Sequence, residues 1–64
     1  MASVGKHIRQ LRAARKLTQE ELAEKLHVTR QAVSAWERDQ TQPDLDTLER
    51  IAQALDTEVT ALIY

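Results

Sequence analysis

The stretch Thr18–Asp39, TQEELAEKLHVTRQAVSAWERD, decides the fold of this chain. It begins with a Thr-x-x-Glu capping box at Thr18, in which the threonine hydroxyl and the glutamate carboxylate satisfy each other's backbone donors at a helix start. Thr29 provides the side chain that caps the next helix along the chain. Because only His27 and Val28 separate the two helices, these helices meet at a steep angle across a tight turn. The stretch therefore predicts a pair of short helices in a fixed mutual arrangement.

The residues outside this stretch also favour helices. The chain has one glycine, one proline, no phenylalanine and few runs of β-branched residues, which leaves little material for strands or hairpins. We therefore predict an all-α fold of five short helices, the fourth of them capped by Asp44 or Asp46. Apolar spacings of three and four residues place the helices at about residues 4–16, 19–26, 29–38, 45–55 and 58–63.

The apolar face of each predicted helix identifies a candidate core. Trp36 belongs to this core rather than to a stacking site, because it follows Val33 at helical spacing. His7 is expected on a helix surface and His27 in the turn. Arg15 falls on the same face of the first helix as this core. The other side chains predicted to face inward are Val4, Ile8, Leu11, Leu22, Ala23, Leu26, Ala32, Leu45, Leu48, Ile51, Ala52, Leu55 and Leu62.

Size and composition limit the possible functions. The 64 residues suffice for one domain, residues 1–64, close to the smallest size that folds without covalent help. Without cysteine we expect neither disulfides nor a thiolate zinc site, and a reducing, cytoplasmic location fits. No apolar run approaches the roughly 20 residues of a membrane span, so we expect a soluble protein without a membrane partner. The spacing of the histidines matches no metal or catalytic motif, so we predict no enzyme, metal, cofactor or small-molecule ligand.

The charge of the chain is unevenly distributed. The formal net charge is only -1, but residues 1–32 carry seven basic side chains against three acidic ones, a balance of +4. Residues 33–64 carry two basic side chains against seven acidic ones, a balance of -5. Because the local field decides whether an anionic partner is attracted, one basic face remains compatible with nucleic-acid binding.

The outward face of the third helix has the composition of a surface that reads bases. Arg30, Ser34 and Arg38 follow one another at spacings of four, with Gln31 and Ala35 beside them. Arginine and glutamine can each form two hydrogen bonds to a guanine or an adenine edge, and small side chains allow a close backbone approach. Surface arginine and glutamine are also common on ordinary solvated helices, so both interpretations stay open from this face alone.

The segment Leu17–Leu55, LTQEELAEKLHVTRQAVSAWERDQTQPDLDTLERIAQAL, resembles the phage repressor and Cro-like family of helix-turn-helix domains, often called XRE-type. The resemblance extends from about Gly5 to Leu62. Its motifs are the Thr-Gln start of the second helix, the Leu-Ala pair, the valine after the turn, the Trp-Glu pair, the proline and the final Ile-Ala-x-Ala-Leu. It implies a five-helix lambda repressor-like domain whose third helix enters the major groove while the second crosses the DNA backbone.

The resemblance also implies roles for individual residues. Gln19 matches a position whose side chain and backbone N–H meet a phosphate at the positive end of the second helix. Base contacts specify sequence and phosphate contacts position the domain. The matched base-contacting positions are Thr29, Arg30, Gln31, Ser34 and Ala35. The matched or expected phosphate-contacting positions are Gln19, Arg38, Gln40, Thr41 and Arg9.

Two structural features follow from the same resemblance. The family often pairs an arginine of the first helix with the glutamate that ends the third, which predicts an ion pair between Arg12 and Glu37. The family usually has glycine where this chain has His27, Asp39 and Asp56, so we predict a positive φ at each. Glycine at these three positions is expected to raise stability or leave it unchanged.

The sequence thus predicts a sequence-specific DNA-binding domain of a transcription regulator, and we expect a repressor. A homodimer would bind a pseudo-palindromic operator in double-stranded DNA, with Ile63, Val59, Tyr64 and the loop 40–43 as candidates for the subunit contact. Two alternatives stay open: a protein-interaction module of the same fold, such as an antitoxin or adaptor, and an excerpt of a longer regulator.

Overall fold

The computed structural model describes residues 3–64, and no strand occurs among them. The all-α prediction is therefore confirmed for these residues, whereas residues 1 and 2 of the predicted domain lie outside the described residues. The helices are α1 Val4–Ala14, α2 Gln19–Leu26, α3 Arg30–Glu37, α4 Leu45–Ala54 and α5 Val59–Ile63. Compared with the prediction, α1 ends earlier because the chain leaves the helical conformation at Arg15.

Side-chain caps fix where four of these helices begin. The side chains of Ser3, Thr18, Thr29 and Asp44 each accept a hydrogen bond from a backbone N–H in the first turn of the following helix. Both bonds of the predicted capping box at Thr18 are present. Of the two candidates for capping α4, the structure uses Asp44. Its hydrogen bond with the Thr47 side chain, and then its bond with the Thr47 backbone N–H, lower the pKa of the Asp44 carboxyl.

The helices enclose one apolar core, and α3 packs against both α2 and α1. Trp36 belongs to this core, as predicted. Removing such side chains from water supplies the main stabilisation, roughly 1.5–3 kcal/mol for each large one. The buried apolar residues are Ile8, Leu22, Ala23, Leu26, Val33, Trp36, Ile51, Ala52, Leu55 and Leu62.

Three predicted environments differ in the structure. Leu45 is 63% exposed although it lies only about 20° around α4 from the buried Ala52, because as the first residue of α4 it lies at the end of the helix rather than over the core. Val59 is half-buried against the core rather than free for a subunit contact. His7 is half-buried as well, and its Nδ1 lies 2.7 Å from the Leu62 carbonyl oxygen, which ties α1 to α5.

The ends of α1 to α4 share one backbone geometry. After each helix a residue other than glycine adopts a positive φ between 55° and 58°. The N–H groups of this residue and the next donate to carbonyls of the last helical turn, as in a Schellman motif. The predicted positive φ is confirmed at His27, Asp39 and Asp56. Lys16 adopts the same conformation, which the sequence did not indicate.

Glycine at Lys16 or His27 is expected to raise the free energy of unfolding by up to about 1 kcal/mol, because it removes left-handed strain at the cost of some unfolded-state entropy. Urea unfolding of Lys16→Gly and His27→Gly measures the change. A loss of stability in either variant would contradict this account. The expectation for Asp39 is different, because its carboxylate accepts two hydrogen bonds from α1.

Candidate nucleic-acid interface

The outer face of α3 presents the side chains that were predicted to read bases. Arg30 and Gln31 are exposed in its first turn, while Ser34 and Ala35 are partly exposed one turn further on. Thr29 caps the helix through its hydroxyl oxygen, which accepts from a backbone N–H at 3.1 Å. Among residues 3–64, Arg30 takes part in no ion pair. Its guanidinium is therefore available to an external acceptor.

An open cleft of about 240 Å³ lies beside this face, between α1, the start of α2 and the end of α3. It brings together Arg9, Gln19 and Arg38, three of the residues predicted to contact phosphate. Gln40 and Thr41 are exposed in the loop after α3 and do not line the cleft. Three arginines and one glutamate give the lining a formal charge of +2. The lining residues are Arg9, Arg12, Gln19, Ser34, Glu37 and Arg38.

The predicted ion pair between Arg12 and Glu37 forms the floor of the cleft. Arg12 Nε donates to one carboxylate oxygen of Glu37 at 2.6 Å and Nη2 donates to the other at 3.1 Å. The two side chains are 15% and 2% exposed. The hydrogen bond with Glu37, and then its charge, raises the pKa of Arg12 against the opposing effect of burial. Arg12 Nη1 also donates to the Leu17 carbonyl at 2.7 Å, so one side chain joins α1, the loop before α2, and α3.

The Gln19 side chain forms a hydrogen bond within the protein. Its Nε2 donates to Glu37 Oε1 at 3.0 Å, so the side chain is not wholly free to reach a phosphate. As the first residue of α2, however, it has a backbone N–H that lacks an acceptor within the helix. Neither this N–H nor the second proton of the side-chain amide donates a hydrogen bond among residues 3–64.

Two other arginines, Arg15 and Arg50, bind to the carboxyl ends of helices. Arg15 Nε donates to the Leu55 carbonyl at 3.0 Å, and Arg50 donates to the Leu26 carbonyl. Cations at these positions complement the negative ends of α4 and α2. The basic side chains of residues 1–32 therefore do not all lie on one DNA-facing surface. Arg9, Arg30 and Arg38 form no ion pair among residues 3–64.

Sequence reasoning missed the contact of Asp39 with the start of α1, as it missed the bond between Gln19 and Glu37. The Asp39 carboxylate, just after α3, accepts from the Ser3 hydroxyl at 2.6 Å and from the Gly5 N–H at 3.3 Å. Only the predicted positive φ drew attention to Asp39, and no pattern in the sequence links it to residues more than thirty positions away. The contact joins the loop after α3 to the first turn of α1.

The described residues provide little for other kinds of site. They contain no group of three or more metal-ligating side chains placed to hold an ion. No helix among residues 3–64 has both the length and the apolar character needed to cross a membrane.

The helices α2 and α3 are joined by a tight turn in which His27 adopts the left-handed conformation, and α3 has a polar outer face. This arrangement defines a helix-turn-helix protein.

Comparisons with known proteins agree with this class. The family model described as helix-turn-helix matches residues 8–62, so the chain belongs to this helix-turn-helix family. This result confirms the resemblance to XRE-type domains. The immunity repressor protein of Bacillus phage phi105 is 44% identical over 61 residues, which cover 95% of this chain and 42% of the repressor. The chain thus spans less than half the length of that relative.

Two solved structures have the same fold over nearly the whole chain. The P22 c2 repressor in complex with a synthetic operator superposes with a TM-score of 0.92 at 30% identity, covering 98% of this chain and 96% of that one. The restriction-modification controller protein C.AhdI from Aeromonas hydrophila gives a TM-score of 0.89 at 37% identity, with coverages of 94% and 91%. The lambda repressor-like architecture predicted from the sequence is therefore confirmed.

Proposed function

We propose that this chain is a sequence-specific DNA-binding domain of a transcription regulator that acts as a repressor. The observation that carries this proposal is the position of the cationic cleft beside the exposed outer face of α3. Ser34 belongs to both, so a duplex that placed base edges against α3 would bring a phosphate to Arg9 and Arg38. The matched P22 c2 repressor is bound to an operator.

The two surfaces have different roles in this proposal. Thr29, Arg30, Gln31, Ser34 and Ala35 contact bases, and Arg30 and Gln31 provide the bidentate donors and acceptors that distinguish one base pair from another. The phosphate contacts come from Gln19, Arg38, Gln40, Thr41 and Arg9. In this assignment Gln19 acts chiefly through its backbone N–H, because Glu37 holds its side chain.

We further propose that the chain, as one domain, binds a pseudo-palindromic operator as a homodimer. Ile63 and Tyr64, which are 39% and 90% exposed, support a subunit contact at the end of α5, together with the loop 40–43. Two copies related by a two-fold axis would place their recognition helices about 34 Å apart, one turn of DNA. A cytoplasmic location and the absence of enzymatic activity belong to the same proposal, since the partner is DNA.

Selection from a randomised duplex pool, followed by fluorescence anisotropy, tests this function. We expect enrichment of a site with two-fold symmetry, and binding that weakens steeply as salt is raised. A folded chain that enriches no site and shows no salt-dependent binding would contradict the proposal and favour the protein-interaction alternative.

A further inference from the structure

The loop after α3 and the first turn of α1 form an unusually close joint. A Cβ atom on the buried Gly5 would lie 2.2 Å from the Trp36 carbonyl oxygen and 2.7 Å from Asp39 Oδ1. The Asp39 carboxylate closes this joint by accepting from the Gly5 N–H and the Ser3 hydroxyl. Because the two backbones approach closely, both backbone packing and the Asp39 side chain hold the joint together.

The backbone conformation at residue 39 does not require a charged side chain or one as large as aspartate. With φ at 57°, its N–H donates to the Trp36 carbonyl at 3.1 Å, and the next N–H, of Gln40, donates to the Ala35 carbonyl at 2.9 Å. Glycine would form the same two bonds with less strain. The distinctive contribution of aspartate is therefore the pair of hydrogen bonds that its carboxylate accepts from α1.

Arg38 lies between two residues that are both tied to α1. On one side, Glu37 is held by Arg12, and on the other, Asp39 is held by Ser3 and Gly5. We propose that Asp39 is a positioning residue for DNA binding, which fixes the backbone from Arg38 into the following loop so that its side chains reach phosphate. This inference rests on the proposed function, because it assigns a role within that interface.

Charge alone predicts the opposite effect of Asp39. A carboxylate adjacent to Arg38 repels the phosphate backbone, so its removal should strengthen binding if Asp39 has no other role. If the carboxylate positions Arg38, its removal should weaken binding and also reduce the number of phosphates neutralised. The sign of the change therefore separates a positioning role from a simple electrostatic one.

The test compares four variants by fluorescence anisotropy on a fluorescein-labelled duplex pool of randomised sequence, at several salt concentrations. Asp39→Gly removes the carboxylate and keeps the left-handed turn. Asp39→Asn keeps an acceptor oxygen without the charge. Ser3→Ala keeps the charge but removes one of its two donors, together with the side-chain cap of α1. Asp56→Gly is the matched control, since Asp56 has the same backbone conformation after α4 and bonds to Arg15. Circular dichroism checks that each variant is folded.

We expect Asp39→Gly to bind about tenfold more weakly, the size of one charge-assisted contact, and its log–log salt slope to fall by about 0.9. Ser3→Ala should change both quantities in the same direction, while Asp39→Asn should bind at least as tightly as the wild type, and Asp56→Gly equally tightly. If Asp39→Gly does not fold, the affinity and salt slope of Ser3→Ala test the positioning role instead.

Wild-type binding or tighter binding in both Asp39→Gly and Ser3→Ala would overturn the positioning role while leaving the DNA-binding function intact. Failure of the wild type itself to bind the pool with salt dependence would instead remove the proposed function, and the positioning role with it.

Discussion

Replacing Glu37 by alanine is expected to lower the free energy of unfolding by about 3 kcal/mol, because Arg12 then keeps a largely buried charge without its partner. The Glu37 side chain is only 2% exposed and accepts hydrogen bonds from both Arg12 and Gln19. In a domain of this size the melting temperature should fall by roughly 10–25 °C. Replacing Arg12 by alanine should have a similar effect, since the buried carboxylate is then unpaired.

A double-mutant cycle measures the coupling between the two side chains. Urea unfolding of Arg12→Ala, Glu37→Ala and the double variant should give a double variant much less destabilised than the sum of the singles. Glu24→Ala, at an exposed glutamate of α2, is a control expected to change stability by no more than about 0.5 kcal/mol. A coupling energy near zero would show that the two residues do not act as a pair.

Replacing Gly5 by alanine is expected to destabilise the protein by about 2 kcal/mol, although alanine is the better helix former. The gain in helix propensity is about 1 kcal/mol. This gain is opposed by a steric clash, because the Cβ atom of the new alanine would lie 2.2 Å from the Trp36 carbonyl oxygen. This oxygen belongs to the backbone and cannot rotate away. Overpacking of this kind costs about 3 kcal/mol, so steric repulsion exceeds the propensity gain.

Thermal unfolding followed by circular dichroism checks the Gly5 result, with an expected decrease of roughly 8–16 °C. Gln10→Ala, at an exposed position of the same helix, is the control and should leave the melting temperature nearly unchanged. If Gly5→Ala were as stable as the wild type, α1 and α3 would not approach each other as closely as described.

Local features of the fold were predictable because their causes are close together in the sequence. The capping box at Thr18 and the cap at Thr29 need only neighbouring residues, and they fixed the starts of α2 and α3. The positive φ at His27 followed from a missing glycine in a recognised motif. Lys16 was not anticipated, since its left-handed conformation reflects how α1 must end before Leu17.

Contacts between distant elements could not be read from the sequence in the same way. Leu45 fits the apolar spacing of α4, yet only the packing of neighbouring helices decides which side of the stripe is covered. His7 and Asp39 bond to groups on other helices, and no local pattern identifies such partners. The Arg12–Glu37 pair is different, because the family resemblance supplied it before the geometry did.

The residues of the candidate interface were predicted partly from residue type and position and partly from the family resemblance. Arg30 and Gln31 stood out by residue type and position, whereas Gln19 was assigned by resemblance alone. The structure adds that the Gln19 side chain donates to Glu37, which is why we assign its proposed phosphate contact chiefly to the backbone N–H.

The most direct test of the central claim compares Arg30→Ala and Arg38→Ala with the wild type on the duplex that the wild type selects and on mismatched duplexes. We expect Arg30→Ala to relax sequence preference by about 1–3 kcal/mol at one base pair, because it removes a bidentate base contact. Arg38→Ala should weaken all duplexes alike and reduce the salt slope by about 0.9. Folded variants that both bind every duplex as the wild type does would contradict the claim that the outer face of α3 reads DNA.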